Sequence, residues 1–135
     1  MPHVIVEYSE NVEPEAGIPA LLRLIADRCA NTDNVLPVAG IRVRAVRLTE
    51  YVIADGKPEY GLVNVTVKMG AGRPQEFKKT FFGSLFEAIK SHLSNAFKAR
   101  PVALSMYVEE IDEQGAYRHN GVRDAMGLPP KQSAT

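Results

Sequence analysis

The sequence predicts an α+β fold: two β-α-β units forming a four-stranded mixed sheet with two helices on one face. Three observations lead there. Apolar residues follow a period of two in separate short stretches, they recur at helical spacing in two longer ones, and the order is strand, helix, strand, then strand, helix, strand again. Strands that flank a helix pair in parallel through a right-handed crossover, so each half is a β-α-β unit. The 135 residues, 45% of them hydrophobic, suffice for one domain. A chain of this size buries roughly 68% of its unfolded surface.

The first strand runs from Pro2 to Tyr8, with Val4 and Val6 on one face and His3, Ile5 and Glu7 on the other. A helix follows from Pro19, where proline's missing N–H does no harm, and Leu21, Leu22, Ile25, Ala26 and Cys29 form its apolar stripe up to about Asn31. The second strand lies in IRVRAVRLTEYVIADG and ends in the turn-forming ADGKPEY. The third, GLVNVTVKM, sets Val63, Val65, Val67 and Met69 against Asn64, Thr66 and Lys68, and it is expected to form a hairpin with the second. After GAGRPQEF, residues Phe77, Phe81, Leu85, Ala88, Ile89, Leu93 and Ala96 mark one long helix ending near Arg100, before Pro101. In VALSMYVEEI, Val102, Leu104, Met106 and Val108 point inward and make the fourth strand. Periodicity is lost from Gln114 on, so the expected division is a single domain over 1–115 and a partly disordered C-terminal tail over 116–135.

With both helices on one face, the other sheet face carries Ile5, Leu62 and apolar positions of the second strand and needs a cover. Self-association is the expected cover. Sixteen basic and sixteen acidic residues cancel, which removes the overall electrostatic reason for a nucleic-acid or membrane-surface partner and favours a small molecule or protein. The single cysteine, Cys29, excludes an intramolecular disulfide, and no signal core or membrane-length apolar run is present. The expected compartment is the cytoplasm.

The three histidines, His3, His92 and His119, lack metal-ligand spacing, Cys29 lies on an apolar helical stripe, and no GxSxG, HExxH or P-loop occurs. Neither metal nor acyl-transfer chemistry is expected. His92 reads as a helix-surface residue, and Glu109, Glu110, Asp112 and Glu113 as a solvated strand end. Gly70-Ala71-Gly72 could cradle an anion but reads first as a turn. Arg42 and Arg44 share one face of the second strand, Arg47 takes the other, and Arg73 follows the glycine turn. A strand arginine can simply guard an exposed strand, yet its planar fork of donors also matches a carboxylate. Pro2 follows the initiator methionine, and removal of Met1 would leave it with a free secondary amine. Met-Pro starts are often incidental, but an α-amino group has a reference pKa of about 7.7–8.0, and apolar surroundings with nearby arginines would lower it further. Such an amine could act as a neutral base near pH 7 and move a proton along a conjugated enol with no cofactor.

The segments MPHVIVEYSEN, PVAGIRVRA and ADGKPEYGLVNVTVKMGAGRP, in this order, resemble the 5-carboxymethyl-2-hydroxymuconate isomerase family of the tautomerase superfamily. The resemblance covers Pro2 to about Glu110 and leaves out the tail beyond about Gly115. It implies a tautomerase-like homotrimer with sheets lining the interior and an active site near each amino-terminal proline. It further implies that Pro2 is the general acid/base and that Arg42 and Arg73 bind and polarise a dienol bearing three carboxylates, an intermediate of homoprotocatechuate breakdown. Arg44 and Arg47 receive no role from it. The alternatives are another keto-enol tautomerase, such as one acting on phenylpyruvate, and a non-catalytic oligomeric binding module in which Pro2 is incidental.

Overall fold

All four alternating stretches form strands in the computed structural model, which describes residues 2–129: β1 (His3–Ser9), β2 (Arg42–Leu48), β3 (Gly61–Gly70) and β4 (Val102–Ile111). They make one sheet in the order β2-β1-β3-β4, with β1 parallel to β2, β3 parallel to β4, and β1 antiparallel to β3. Both β-α-β halves are present, joined along their first strands.

The expected hairpin between the second and third strands does not form, because β1 lies between them. Hairpin loops use roughly 2–5 residues. Residues 49–60 are a longer link, with Ala54 at φ 51° and Gly56 at φ 86°, and they carry the chain past the end of β1. Burial explains the order: Val4 and Val6 of β1 and Val63, Val65 and Val67 of β3 have 0% exposure, so the most apolar strands take the centre.

Two longer helices cover the inner sheet face, and shorter ones flank them. After α1 (Glu13–Ala16), α2 (Ile18–Ala30) buries Leu21, Ile25 and Cys29 at every fourth position. Gly17 joins α1 to α2 at φ 55°, where a side chain would be strained. The expected second helix is interrupted: α3 (Gln75–His92) stops at Leu93 and α4 (Ser94–Ala99) resumes, with Leu93 itself fully buried. The break coincides with a tether, since His92 Nε2 lies 2.9 Å from the Ala16 carbonyl and 3.1 Å from that of Gly17. His92 therefore ties the end of α3 to the α1–α2 junction rather than lying free on a surface. Phe82, Leu85 and Ile89 of α3 complete the core, with Phe77 and Phe81 packed at its margin. Truncating a buried leucine or isoleucine such as Leu85 or Ile89 to alanine would cost about 2–5 kcal/mol.

Among the described residues no helix lies over the outer sheet face. Ile5 and Leu62 are partly buried there, while Val46 is 44% and Tyr107 61% exposed. Beyond β4 the chain turns through Glu113–Gly115 and forms α5 (Gly121–Ala125). Asn120 caps α5 and donates from Nδ2 to the Ala39 carbonyl at 3.0 Å, tying this segment to the loop before β2. The expected disorder at the extreme end of the tail falls on residues 130–135, outside the described residues.

Candidate active site

Strand direction gathers the candidate residues. The starts of β1 and β2 and the ends of β3 and β4 share one end of the sheet, with His3 paired to Arg42 on one side and to Lys68 on the other. Pro2 stands immediately before β1 and is buried. Its carbonyl accepts a hydrogen bond from the Arg42 N–H at 3.0 Å. The half-buried Arg42 side chain donates from Nη1 to the Gly40 carbonyl at 2.8 Å, which holds the guanidinium near the strand start.

Arg73 approaches from the other side. β3 ends at Gly70, Gly72 turns at φ 106°, and Arg73 folds back so that its Nη1 donates to the Gly70 carbonyl at 3.0 Å. A Cβ at Gly70 would collide with Glu113 Oε1 and lie 3.1 Å from Arg73 Nη1, so a carboxylate and a guanidinium converge over this glycine. The glycine turn is not an open anion cradle, because the Ala71 N–H is engaged by the Ile111 carbonyl. Pro2, Arg42 and Arg73 thus come to one end of the sheet. The other arginines divide: Arg44 Nη1 contacts His3 Nδ1 at 3.1 Å, while Arg47 leaves this end and pairs with Glu13 at 2.6 Å and Glu10 at 3.6 Å.

A cavity of about 240 Å³ opens at the same end, lined by His3, Lys68, Met69, Gly70, Ile111 and residues 115–118. Arg42 and Arg73 stand outside this lining. The outer wall is fixed by Arg118, which donates to both carboxylate oxygens of Glu113 at 2.9 and 3.4 Å. Burial, followed by the Arg44 and Arg42 charges, lowers the His3 pKa below its ordinary 6.5. A guanidinium only donates, so the contact from Arg44 makes Nδ1 an acceptor and leaves the ring proton on Nε2. Burial pushes the Cys29 thiol up to about 11, in keeping with a core residue.

Sequence reasoning missed Lys68, Arg118 and the place of Glu113. Alternation does put Lys68 on the outer face of β3, but only the β1–β3 pairing sets it beside His3, and the expected hairpin would have sent it to β2. Among the described residues no group of three or more His, Cys, Asp or Glu side chains could hold a metal ion, and no helix is long and apolar enough to cross a membrane.

Comparison with known proteins adds an independent line. A sequence profile described as 5-carboxymethyl-2-hydroxymuconate isomerase matches residues 2–126, well into the segment that residue matching alone left uncovered. The chain is 38% identical over 122 residues to 5-carboxymethyl-2-hydroxymuconate Delta-isomerase of Escherichia coli, covering 90% of this chain and 96% of that protein. Among solved structures, a 5-carboxymethyl-2-hydroxymuconate isomerase from Deinococcus radiodurans R1 superposes with a TM-score of 0.86 at 35% identity, over 93% of each chain. A fused 4-OT protein, described as a symmetric trimer, shares the fold at a TM-score of 0.57 and 24% identity, over 87% of this chain and 91% of that one. Taken with the strand order and pairing, these matches place the chain in the 5-carboxymethyl-2-hydroxymuconate isomerase family.

Proposed function

We infer that this protein is a cofactor-independent isomerase that converts 5-carboxymethyl-2-hydroxymuconate to 5-carboxymethyl-2-oxo-hex-3-ene-1,6-dioate. The relatives at 38% and 35% identity carry that substrate in their names. The observation that carries the reading here is the Arg42 N–H to Pro2 carbonyl bond, which holds the start of the arginine-bearing strand β2 beside the start of β1.

With Met1 removed, the neutral Pro2 nitrogen takes the proton of the 2-hydroxyl. The O–H electrons form the 2-oxo group, the 2,3 double bond moves to the 3,4 position, and the electrons of the former 4,5 double bond take up the proton at C-5, delivered by the Pro2 ammonium. Atoms and charge balance over the cycle. Arg42 and Arg73 bind carboxylates and stabilise the negative charge that develops on the oxygen at C-2. The substrate belongs to homoprotocatechuate breakdown, and the enzyme works in the cytoplasm as a homotrimer. The bare outer sheet face with Ile5, Leu62 and Val46, and the trimer reported for the 4-OT fold relative, support that assembly.

The test is the ultraviolet change when 5-carboxymethyl-2-hydroxymuconate is mixed with protein whose intact mass shows Met1 removed. Acceleration over buffer is expected; its absence, with turnover of phenylpyruvate, would transfer the reading to another keto-enol tautomerase.

A further inference from the structure

We propose that the cavity between His3, Lys68 and the 115–118 segment is a subsite for one carboxylate arm of the substrate, with Lys68 as its counter-ion. The inference rests on the isomerase reading and deepens it, because a tricarboxylate carries more charges than Arg42 and Arg73 between them neutralise. At about 240 Å³ the cavity falls below the roughly 300–1,000 Å³ of pockets that enclose a whole ligand, so it fits a branch.

Its lining supplies donors, and the carboxylate nearest to it, Glu113 over Gly70, is held by Arg118. The Lys68 ammonium forms no ion pair among the described residues, although Glu109 is its cross-strand neighbour on β4. The Arg44 contact leaves the His3 proton on Nε2, the nitrogen free of that contact. On the far wall Arg118 is neutralised by Glu113, so that pair shapes the wall and Lys68 carries the uncompensated charge. Gly115 leaves the rim open, since nothing lies within 4 Å of where its side chain would start. The arm that fits is the carboxymethyl branch, the one carboxylate that lies off the conjugated chain. Lys68 is on this reading a specificity residue that touches the arm and takes no part in proton transfer.

The test compares Lys68→Met and Lys68→Arg with the unmodified enzyme on two dienols, 5-carboxymethyl-2-hydroxymuconate and the armless 2-hydroxymuconate. Lys68→Met is expected to raise KM for the first roughly tenfold or more, the scale of a lost charged hydrogen bond, and to leave KM for the second unchanged. Its kcat should stay within about twofold, because the reacting atoms are untouched. Lys68→Arg should restore most of the loss. An equal rise for both dienols, or none for either, would overturn the subsite. If the unmodified enzyme isomerises neither dienol, the isomerase reading fails by itself, and calorimetric titration with propane-1,2,3-tricarboxylate and with pentanedioate then decides the subsite. Selective loss of tricarboxylate binding in Lys68→Met upholds it; equal binding to both proteins, or no binding to either, overturns it.

Discussion

The backbone N–H of Arg42 donates to the carbonyl oxygen of Pro2 at 3.0 Å, so the start of β1 and the start of β2 are locked in register by a bond that involves neither side chain. Chemistry and stability can therefore be separated at Pro2. A chain that retains Met1 keeps this carbonyl but turns the proline nitrogen into an amide without basicity. It should lose roughly 10²–10⁴-fold in kcat, the usual contribution of a general base. Its melting temperature should match that of the processed chain. Steady-state kinetics on the two forms, distinguished by intact mass, check both statements, and equal turnover would remove Pro2 as the base.

Arg42→Ala and Arg73→Ala should each lower kcat/KM for the tricarboxylate by roughly 10²–10³-fold, as loss of a donor to a developing oxyanion does. Both arginines lean on backbone carbonyls, of Gly40 and Gly70, rather than on the core, so their removal should leave thermal unfolding nearly unchanged. Uncharged enol analogues that suffer equally would contradict anion binding.

Gly70→Ala tests the crowding at the end of β3. The added methyl meets the Glu113 carboxylate and comes within 3.1 Å of Arg73 Nη1. The carboxylate is the far end of a flexible chain and can swing away, so the fold should persist while Glu113 and Arg73 lose their positions. The expected outcome is an intact circular dichroism spectrum with kcat/KM reduced tenfold or more, on the order of one displaced charged hydrogen bond. Full activity would mean that this convergence is incidental.

The lowered His3 pKa gives a direction for stability against pH. Burial and the facing Arg44, Arg42 and Lys68 charges hold the folded pKa under 6.5, so between the two values the unfolded chain binds more protons than the folded one. Stability from this group is complete above the unfolded pKa and declines as pH falls through 6.5 toward the folded value. Urea unfolding from pH 7.5 to 5 should show wild type losing more stability than His3→Gln; parallel curves would refute it.

Sedimentation gives the assembly prediction. Ile5 lies on the helix-free sheet face, level with Arg44 and Thr66 on its neighbours. Ile5→Glu would place a charge where a partner sheet packs, so it should shift a trimer toward monomer at micromolar concentration. A wild-type monomer would argue against the covered face.

The parts of the fold legible in the sequence are those set by one element's own periodicity. Val63, Val65 and Val67 announce a half-buried strand whatever their partners, and Leu21, Ile25 and Cys29 announce a helix. Strand order is a competition between whole strands, and there the hairpin reading failed: nearness in sequence favoured β2 beside β3, whereas burial put β1 there. The same division holds at the site. Pro2, Arg42 and Arg73 could be picked out by residue type and resemblance, but Lys68 becomes relevant only through its register with His3. Arg118 and Glu113 needed the tail's path back to Gly70, which no period encodes.

The two β-α-β halves offer two strand starts, one before β1 and one before β3, yet they differ in stoichiometry of reactive nitrogen. At β1 the preceding nitrogen is that of Pro2, an amine only once Met1 is removed. At β3 the corresponding residue is Tyr60, whose backbone N–H donates to the Lys57 carbonyl at 3.2 Å, a planar amide with no lone pair to offer. Doubling the structural unit therefore does not double the base. An amine-directed electrophile that inactivates the enzyme should do so at one equivalent per chain and label only the amino terminus.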